Sequence, residues 1–517
     1  MSKRLYSRSL AALFILVWIL TSLHLYKGVK EIIANGLTIT QRTIISLQLT
    51  FEVAVFIEIN LLIISSKHVL DRKLPVLNNF DQSYVRDIDI FIPIRRVIPD
   101  LLEQTLQGFQ EVDYPKEKIH VFVADDTPEK EMSDIYKSLC DRYNVKYVYE
   151  PSNILFKAGM LNIAFDSGNS EFVAFFDHDQ IPMKNVLKEF MTAFNQFPDI
   201  DYVQSKKIFR NLDNVFKVWS AMLYALYFEV FERNKFWNDV VLFAGSTACF
   251  RRSVINKLGG FPETTFTEDN SLSVEMILNG HKGYYIDRAG SMGTVPPTFP
   301  LQISQLWRWS HGASNVLNQK MLPILTSRKL KLGQKLDIIG TFGISPMVVV
   351  VYIYGLSFIP LINEGVDSKR FVVHGFSSII FIPILAALTY SLLALTAMVM
   401  SKEEEESEIK YSNLPGFLII ALASNLLIIT SGIFGIFGIF GPKSKSGRWT
   451  REIHITRLAV CGFVIGCGFL YFGIKYFLLG FASASLFILL SITLIPSIFI
   501  VFYSRLQYKD AHANIYY

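Results

Sequence analysis

The sequence predicts an α/β domain with a mixed, mostly parallel sheet, inserted between N-terminal and C-terminal helices expected to cross a membrane. Three observations carry this prediction. Residues 85–299 hold strand-like apolar runs at Ile88 to Ile94, His120 to Ala124, Val145 to Tyr149 and Phe172 to Phe176, with helical periodicity between them. Long apolar stretches flank this region, near 10–26 and 43–65 on one side and near 337–360, 374–400, 412–440, 458–478 and 480–503 on the other. The 517 residues are 51% hydrophobic, with 42 Phe and 23 Tyr, which is too apolar for an ordinary soluble enzyme of this length.

Taken in order, residues 1–70 read as two retained helices. Lys3, Arg4 and Arg8 precede the first, no small-residue cleavage site follows it, and Lys67, Arg72 and Lys73 close the second. Both basic flanks favour the cytoplasm, so the domain at 71–299 is expected there. Glu52 and Glu58 are costly in lipid and are expected to face the protein interior or a channel. Within the domain, Ser220 to Phe236 reads as one long aromatic-rich helix. Residues 300–335 mix Trp307 and Trp309 with Arg308, His311 and Lys320, the pattern of interface-lying amphipathic helices. Residues 336–517 form the C-terminal helical region. If all five of its apolar stretches crossed, the basic loop Lys443 to Arg448 would lie outside. Reading 412–440 as interfacial or re-entrant leaves six crossings in all. The net charge of +5 fits cytoplasmic flanks and requires no nucleic acid; the four cysteines show neither metal-ligand spacing nor a disulfide framework.

The chemistry lies in five polar constellations. Phe175-Phe176-Asp177-His178-Asp179-Gln180 sets two carboxylates one residue apart at a strand end, where residues i and i+2 share a face. Asp177 and Asp179 suit one hard cation, Mg²⁺ or Mn²⁺, bridged to substrate phosphates; a surface turn with two acids is the plain alternative. Asp125 and Asp126 follow another strand and suit nucleoside groups, or cap a helix before Pro128. Lys157 offers a cation for a phosphate or an acidic partner, with Asn162 five residues on. Thr267-Glu268-Asp269 opens a helix, either as capping chemistry or with Asp269 as a general base. Inverting sugar transfer needs such a base to take a proton from the attacking hydroxyl, while a metal neutralises the departing diphosphate. Gln305-Leu306-Trp307-Arg308-Trp309 supplies indoles for a sugar ring and a guanidinium for a diphosphate, or an aromatic interfacial anchor.

In this order, Asp-Asp, Asp-x-Asp, Thr-Glu-Asp and Gln-x-x-Arg-Trp resemble the membrane-embedded inverting glycosyltransferases that include cellulose, hyaluronan, chitin and mannan synthases. The resemblance implies a GT-A-like catalytic domain. It implies that Asp125 and Asp126 contact the nucleotide with Lys157 beside it, that Asp177 is a nucleotide-proximal acid and that Asp179 is the metal ligand. Asp269 becomes the base, with Glu268 beside it in the acceptor-facing motif. Gln305 and Trp309 line the acceptor end, and Arg308 contacts the diphosphate. Gly245-Ser246-Thr247 resembles the small-residue loop beside the acceptor, and 441–449 a cytoplasmic gating loop whose Lys445 and Arg448 reach phosphate. One departure concerns the first strand, where the family often has Pro-x-Tyr-Asn-Glu and this chain has Pro93-Ile94-Arg95-Arg96. UDP stays the favoured nucleotide, with GDP as the alternative.

The expected function is processive synthesis of a polysaccharide from a nucleotide-sugar, coupled to membrane translocation by a multi-pass cell-membrane protein with its catalytic domain in the cytoplasm. Its expected partners are the donor, a glycan or lipid-linked acceptor and the lipid bilayer. The alternative is non-processive transfer to a polyprenyl-phosphate or other lipid acceptor. A transporter, or an inactive sugar-binding membrane protein, would leave the carboxylate clusters incidental.

Overall fold

The structure, a computed structural model, describes residues 36–64, 74–151, 156–263, 267–296, 298–343 and 453–478, with scattered positions within 15–33, 372–377 and 488–499. Helix α1 (Ile39–Ile64) precedes the α/β domain. The domain then runs β1 (Ile88–Ile94), α2 (Pro99–Glu111), β2 (Ile119–Asp125), α3 (Lys130–Arg142), β3 (Lys146–Tyr149), α4 (Phe156–Asp166), β4 (Phe172–Phe175), β5 (Ile181–Pro182) and α5 (Val186–Gln196). It continues through β6 (Tyr202–Arg210), α6 (Val215–Leu226), a π-helical turn (Tyr227–Glu232), α7 (Arg233–Trp237), β7 (Ala248–Arg251), α8 (Arg252–Leu258), α9 (Glu268–Asn279), β8 (Gly283–Thr294) and α10 (Phe299–Thr326). A last described helix, α11 (Ile453–Leu478), packs against α10.

The strands form one sheet in the order β3-β2-β1-β4-β7-β6-β8-β5. The pairs β3–β2, β2–β1, β1–β4 and β6–β8 are parallel, whereas β7 pairs antiparallel with both β4 and β6, and β5 antiparallel with β8. Strands covered on both faces read as continuous apolar runs, which is why β1 and β4 are legible in the sequence. Alternation sends Ile90 and Ile92 to one face, against α2 and α5, and Phe91 to the other. There Phe91 meets Phe122 at 5.0 Å and Phe175 at 5.7 Å between ring centroids. The segment expected as one helix from Ser220 to Phe236 is α6, the π turn and α7 joined end to end, and it is largely buried in the domain.

Asp89 locks the sheet at the end away from the strand carboxyl termini. It is buried on β1 and accepts from the Ser170 amide at 3.0 Å, the Ser170 hydroxyl at 2.6 Å and the Arg252 guanidinium at 2.5 Å. Arg252 also donates to the carbonyls of Ser170 and Phe165, so one ion pair ties β1, β4 and the start of α8 together.

The flanking helices correct the membrane expectation. Among the described residues, no helix is long and apolar enough to cross a membrane. The stretch expected at 43–65 falls in α1, whose 26 residues include Arg42, Glu52, Glu58 and Asn60. From the 10–26 stretch, the Trp18 indole N–H donates to Asn60 at 2.9 Å, so that residue docks on protein. In the expected interfacial segment 300–335, Val316, Leu317 and Ile324 of α10 join Val240, Val274 and Ile277 in one core, while Leu322, Leu325 and Leu332 are exposed. Most of the runs expected at 337–360, 374–400, 412–440 and 480–503 lie outside the described residues, as does the 441–449 loop with Lys445 and Arg448. A GT-A-like domain set between transmembrane helices, a multi-pass location, the bilayer as partner and translocation-coupled synthesis are therefore corrected by what the described helices are.

Replacing Asp89 with Ala should cost about 3–5 kcal/mol of stability, because it strands a buried guanidinium and a Ser170 donor. Denaturant unfolding monitored by circular dichroism measures the loss.

Candidate active site

The chain order reverses around β1, which pairs with β2 on one side and β4 on the other. In open α/β sheets ligands bind at the strand carboxyl ends beside such a switch point. Asp125 and Asp126 end β2 there, and Asp177 to Gln180 follow β4.

The two aspartates after β2 do different work. Asp125 is buried, and both its oxygens are taken: Oδ1 by the Thr127 amide at 2.8 Å and Oδ2 by the Tyr147 hydroxyl at 2.5 Å. It shapes the turn rather than facing the crevice. Asp126 accepts from the Arg95 guanidinium at 2.8 Å, and its amide donates to Ile94 O. Burial pushes its carboxyl above the ordinary range, with Arg95 pulling the other way. Arg95 comes from the first-strand segment that departs from the family pattern.

Asp177 and Asp179 meet differently from the geometry read in the sequence. β4 ends at Phe175, and the triplet turns, with the Gln180 amide donating to Asp177 O at 3.1 Å. The Asp177 amide donates to Ser246 Oγ at 2.9 Å, and Asp179 Oδ2 accepts from Thr294 Oγ1 at 2.9 Å. The carbonyl of His178 accepts from Thr105 Oγ1 at 2.8 Å, which fixes the corner of the turn.

Lys157, on α4, joins the motifs. Its ammonium lies 3.0 Å from Asp177 Oδ1, 3.2 Å from Gly245 O and 3.3 Å from Glu268 Oε1. Burial alone would pull Lys157 down, but Asp177, Glu268 and Asp269 together hold it above its ordinary value. Burial would raise Asp177, yet Lys157 and Lys207 outweigh it and hold the carboxyl below its ordinary value. Asn162 lies apart: its side-chain amide bridges the backbone of Phe261 and the carboxylate of Glu263, a structural clamp.

Asp269 stands in the first turn of α9, its Oδ1 accepting from the Asn270 amide at 2.7 Å. A helix N-terminus favours the ionised form. Burial, then the neighbouring Glu268, nevertheless push the carboxyl up to about 7, against Lys157 and Lys207. Gly245 makes room for it. With φ +75°, a Cβ there would lie 2.7 Å from Asp269 Oδ2. Thr247 also has positive φ, 57°, a costly conformation for a β-branched residue. The loop is held by Gln204, whose amide donates to Ser246 O and Thr247 O and accepts from the Ala244 amide at 2.8 Å.

On α10, Trp309 meets Tyr224 of α6 edge-on at 5.3 Å, and the Gln305 side chain hydrogen-bonds the Tyr224 hydroxyl. Arg308 is exposed. Trp307 stacks instead on His311 at 5.1 Å. Sequence reasoning missed Lys207, Tyr224, Gln204 and Thr294, which come from β6, α6 and β8, elements with no motif of their own. Lys445 and Arg448 lie outside the described residues. Among the described residues, no group of three or more His, Cys, Asp or Glu side chains gathers to hold a metal ion.

Residues 87–312 match a family model described as Glycosyltransferase like family 2. The cellulose synthase catalytic subunit [UDP-forming] of Pseudomonas fluorescens (strain SBW25) is 27% identical over 274 residues, covering 51% of this chain and 36% of that protein. The probable glucomannan 4-beta-mannosyltransferase 7 of Oryza sativa subsp. japonica is 27% identical over 256 residues, covering 47% of this chain and 44% of that protein. This chain thus spans less than half the length of these two relatives. A solved structure, the mannosyltransferase PcManGT from Pyrobaculum calidifontis in complex with GDP-Man and Mn2+, aligns with TM-score 0.49 and 16% identity over 77% of this chain and 99% of that one. That likeness is too loose to carry an argument. The matched segment of this chain is related to glycosyltransferases.

Gly245→Ala should lower kcat by about a hundredfold, because it displaces Asp269 by a sizeable fraction of an ångström or more. Steady-state kinetics beside a thermal melt separate this loss from the modest cost of an alanine at positive φ.

Proposed function

We propose that this protein transfers a hexosyl unit, with inversion, from a nucleotide-sugar to a hydroxyl of a lipid-linked acceptor, one unit per acceptor. The observation that carries the reading is the convergence of Asp177, Glu268 and Asp269 on Lys157, with Gly245 packed on the Asp269 carboxylate. A base with its carboxyl raised to about 7 is matched to proton abstraction near neutral pH. Asp269 takes the proton of the attacking hydroxyl. Lys157 keeps Asp177 ionised and anchors the loop at Gly245 O. Asp126 with Arg95 faces the nucleoside, and Arg308 the diphosphate. Gln305 and Trp309, through Tyr224, position the acceptor, with Gly245, Ser246 and Thr247 as its floor and Glu268 beside the base.

The donor set fits a hard divalent cation. Asp179 engages one carboxylate oxygen with Thr294, and Asp177 is its neighbour across one turn. Mg²⁺ or Mn²⁺ needs few carboxylates when substrate phosphates complete its shell. These two residues would hold it, and the ion would neutralise charge on the departing diphosphate.

One observation favours a lipid-linked acceptor. α11, which packs against the acceptor-motif helix α10, leaves Val464, Tyr471, Phe477 and Leu478 exposed. Such apolar surface suits an acyl or prenyl chain. Transfer coupled to translocation lost its support with the described helices. UDP is favoured because the matched cellulose synthase subunits are UDP-forming; GDP is the alternative.

Incubation of the purified protein with UDP- and GDP-sugars, a lipid-linked acceptor and Mn²⁺, followed by mass spectrometry, should show one hexose added; long glycans would overturn single transfer. Asp269→Asn should cut turnover at least about a hundredfold while donor still binds. For the wild type, kcat/KM should rise through pH about 7 and level off above it, since the carboxylate is the active form. The same shift makes this group's contribution to fold stability fall as pH rises from the ordinary carboxylate range through 7, because the folded form holds its proton longer.

Asp179→Asn should raise the Mn²⁺ concentration needed for donor binding by about tenfold, measured by calorimetric titration of UDP at several metal concentrations. Unchanged metal dependence would remove Asp179 as ligand.

A further inference from the structure

β6 carries two adjacent lysines, Lys206 and Lys207, and both are buried. They are treated differently. A break in register between β6 and β8 falls on either side of Lys206. The Lys206 ammonium lies 2.7 Å from Glu229 and 3.5 Å from Asp287, and Asp287 also pairs with Arg233. That is ordinary compensation for a buried charge. Lys207, at 8% exposure, has no ion pair among the described residues. Its ammonium donates to one carbonyl, Ala244 O, at 3.0 Å, and sits 5.8 Å and 5.9 Å from the ring centroids of Tyr224 and Phe228. Asp177, Asp179 and Asp269 act on it only through the field of the crevice.

Lys207 therefore stands where the parts of the crevice meet. Ala244 precedes the glycine packed on Asp269, and Tyr224 is the ring touched by Trp309 and Gln305. An ammonium has three donors, and one carbonyl uses one of them. Burying it with no carboxylate in ion-pair contact is costly, and a methionine of similar volume would cost less.

Resting on the reading of this crevice as the transfer site, we propose that Lys207 binds an anionic oxygen group, carboxylate or phosphate, carried by the transferred sugar or by its acceptor, and so selects acidic substrates. The donor diphosphate is a separate matter, assigned above to Arg308 and to the divalent cation that the aspartates after β4 would hold. The ring faces of Tyr224 and Phe228 exclude water beside the ammonium, which strengthens a charge-assisted hydrogen bond there.

Titration of the full chain with glucuronate, glucose 6-phosphate and glucose tests this without turnover. At least one acid should bind about tenfold more tightly than glucose, and Lys207→Met should erase the difference while Lys207→Arg keeps part of it. The melting temperature of Lys207→Met should stay level or rise, since it removes an unpaired buried charge. A preference for UDP-glucuronate over UDP-glucose in kcat/KM would place the anion on the donor sugar. A preference for a phosphate-bearing acceptor over its neutral analogue would place it on the acceptor. If neither acid outbinds glucose, or if Lys207→Met weakens UDP as much as the acids, the proposal is overturned. Transfer from no nucleotide-sugar, with the acid preference intact, would instead overturn the reading of the site as a transferase.

Discussion

The ammonium of Lys157 is the interaction on which the crevice depends. Asp177, Glu268 and Asp269 come from a turn after β4 and from the first turn of α9, far apart in the chain. Brought together unpaired, three carboxylates would repel one another and shed their charge by taking protons. With Lys157 between them the field divides. Asp177 falls below its ordinary value, whereas Asp269, which has burial and Glu268 against it, is left at about 7. Two acids in one cluster thereby acquire opposite tendencies, the arrangement that separates an electrostatic ligand from a proton acceptor.

The same lysine also fixes backbone. It donates to Gly245 O while Lys207 donates to the preceding carbonyl, Ala244 O, and Gln204 spans the other side of the loop. A segment with positive φ at both Gly245 and Thr247 persists only where its surroundings over-determine it. Thr247 is held by its hydroxyl contact with Ser291 at 2.6 Å and by its amide bond to Phe175 O at 2.6 Å. Strain in the loop thus brings backbone up to Asp269 where any side chain at position 245 would intrude.

Much of this was legible in the sequence where chemistry and periodicity coincide. β1 spans Ile88–Ile94 as its apolar run indicated, because a strand covered on both faces is mostly apolar, and its one charge, Asp89, is buried only with Arg252 as partner. Asp177, Lys157, Glu268 and Asp269 do gather, although on a turn and two helices rather than on a strand face. What stayed hidden has physical causes. Asp125 carries the same two-acid signature as Asp177 but turns inward to Tyr147, a pairing set by the register of β2 on β3. Lys207 reads like its neighbour Lys206 until the irregular β6–β8 pairing separates their partners. The flanking helices misled because apolar composition alone does not separate a helix packed on protein from one set in lipid: α1 carries Arg42, Glu52, Glu58 and Asn60 among its apolar residues.

Under the proposed function, the Gln305 to Trp309 motif would act through an intermediary. Gln305 and Trp309 touch Tyr224, and Tyr224 shares the Lys207 ammonium with Phe228, one helical turn further on. The π turn beginning at Tyr227 inserts extra backbone into this helix. Glu229 within it and Arg233 just after it serve the buried Lys206–Asp287 network, and Lys235 pairs with Asp337, so that side of the helix is anchored. The helix is thus rigid where it meets the core and presents two aromatic faces where it meets the crevice. A substrate seated on α10 would press on Tyr224, and through Lys207 and Ala244 on the loop packed against Asp269. Under the proposed function, acceptor placement and the position of the base would be linked through four side chains and one carbonyl, with no moving domain required.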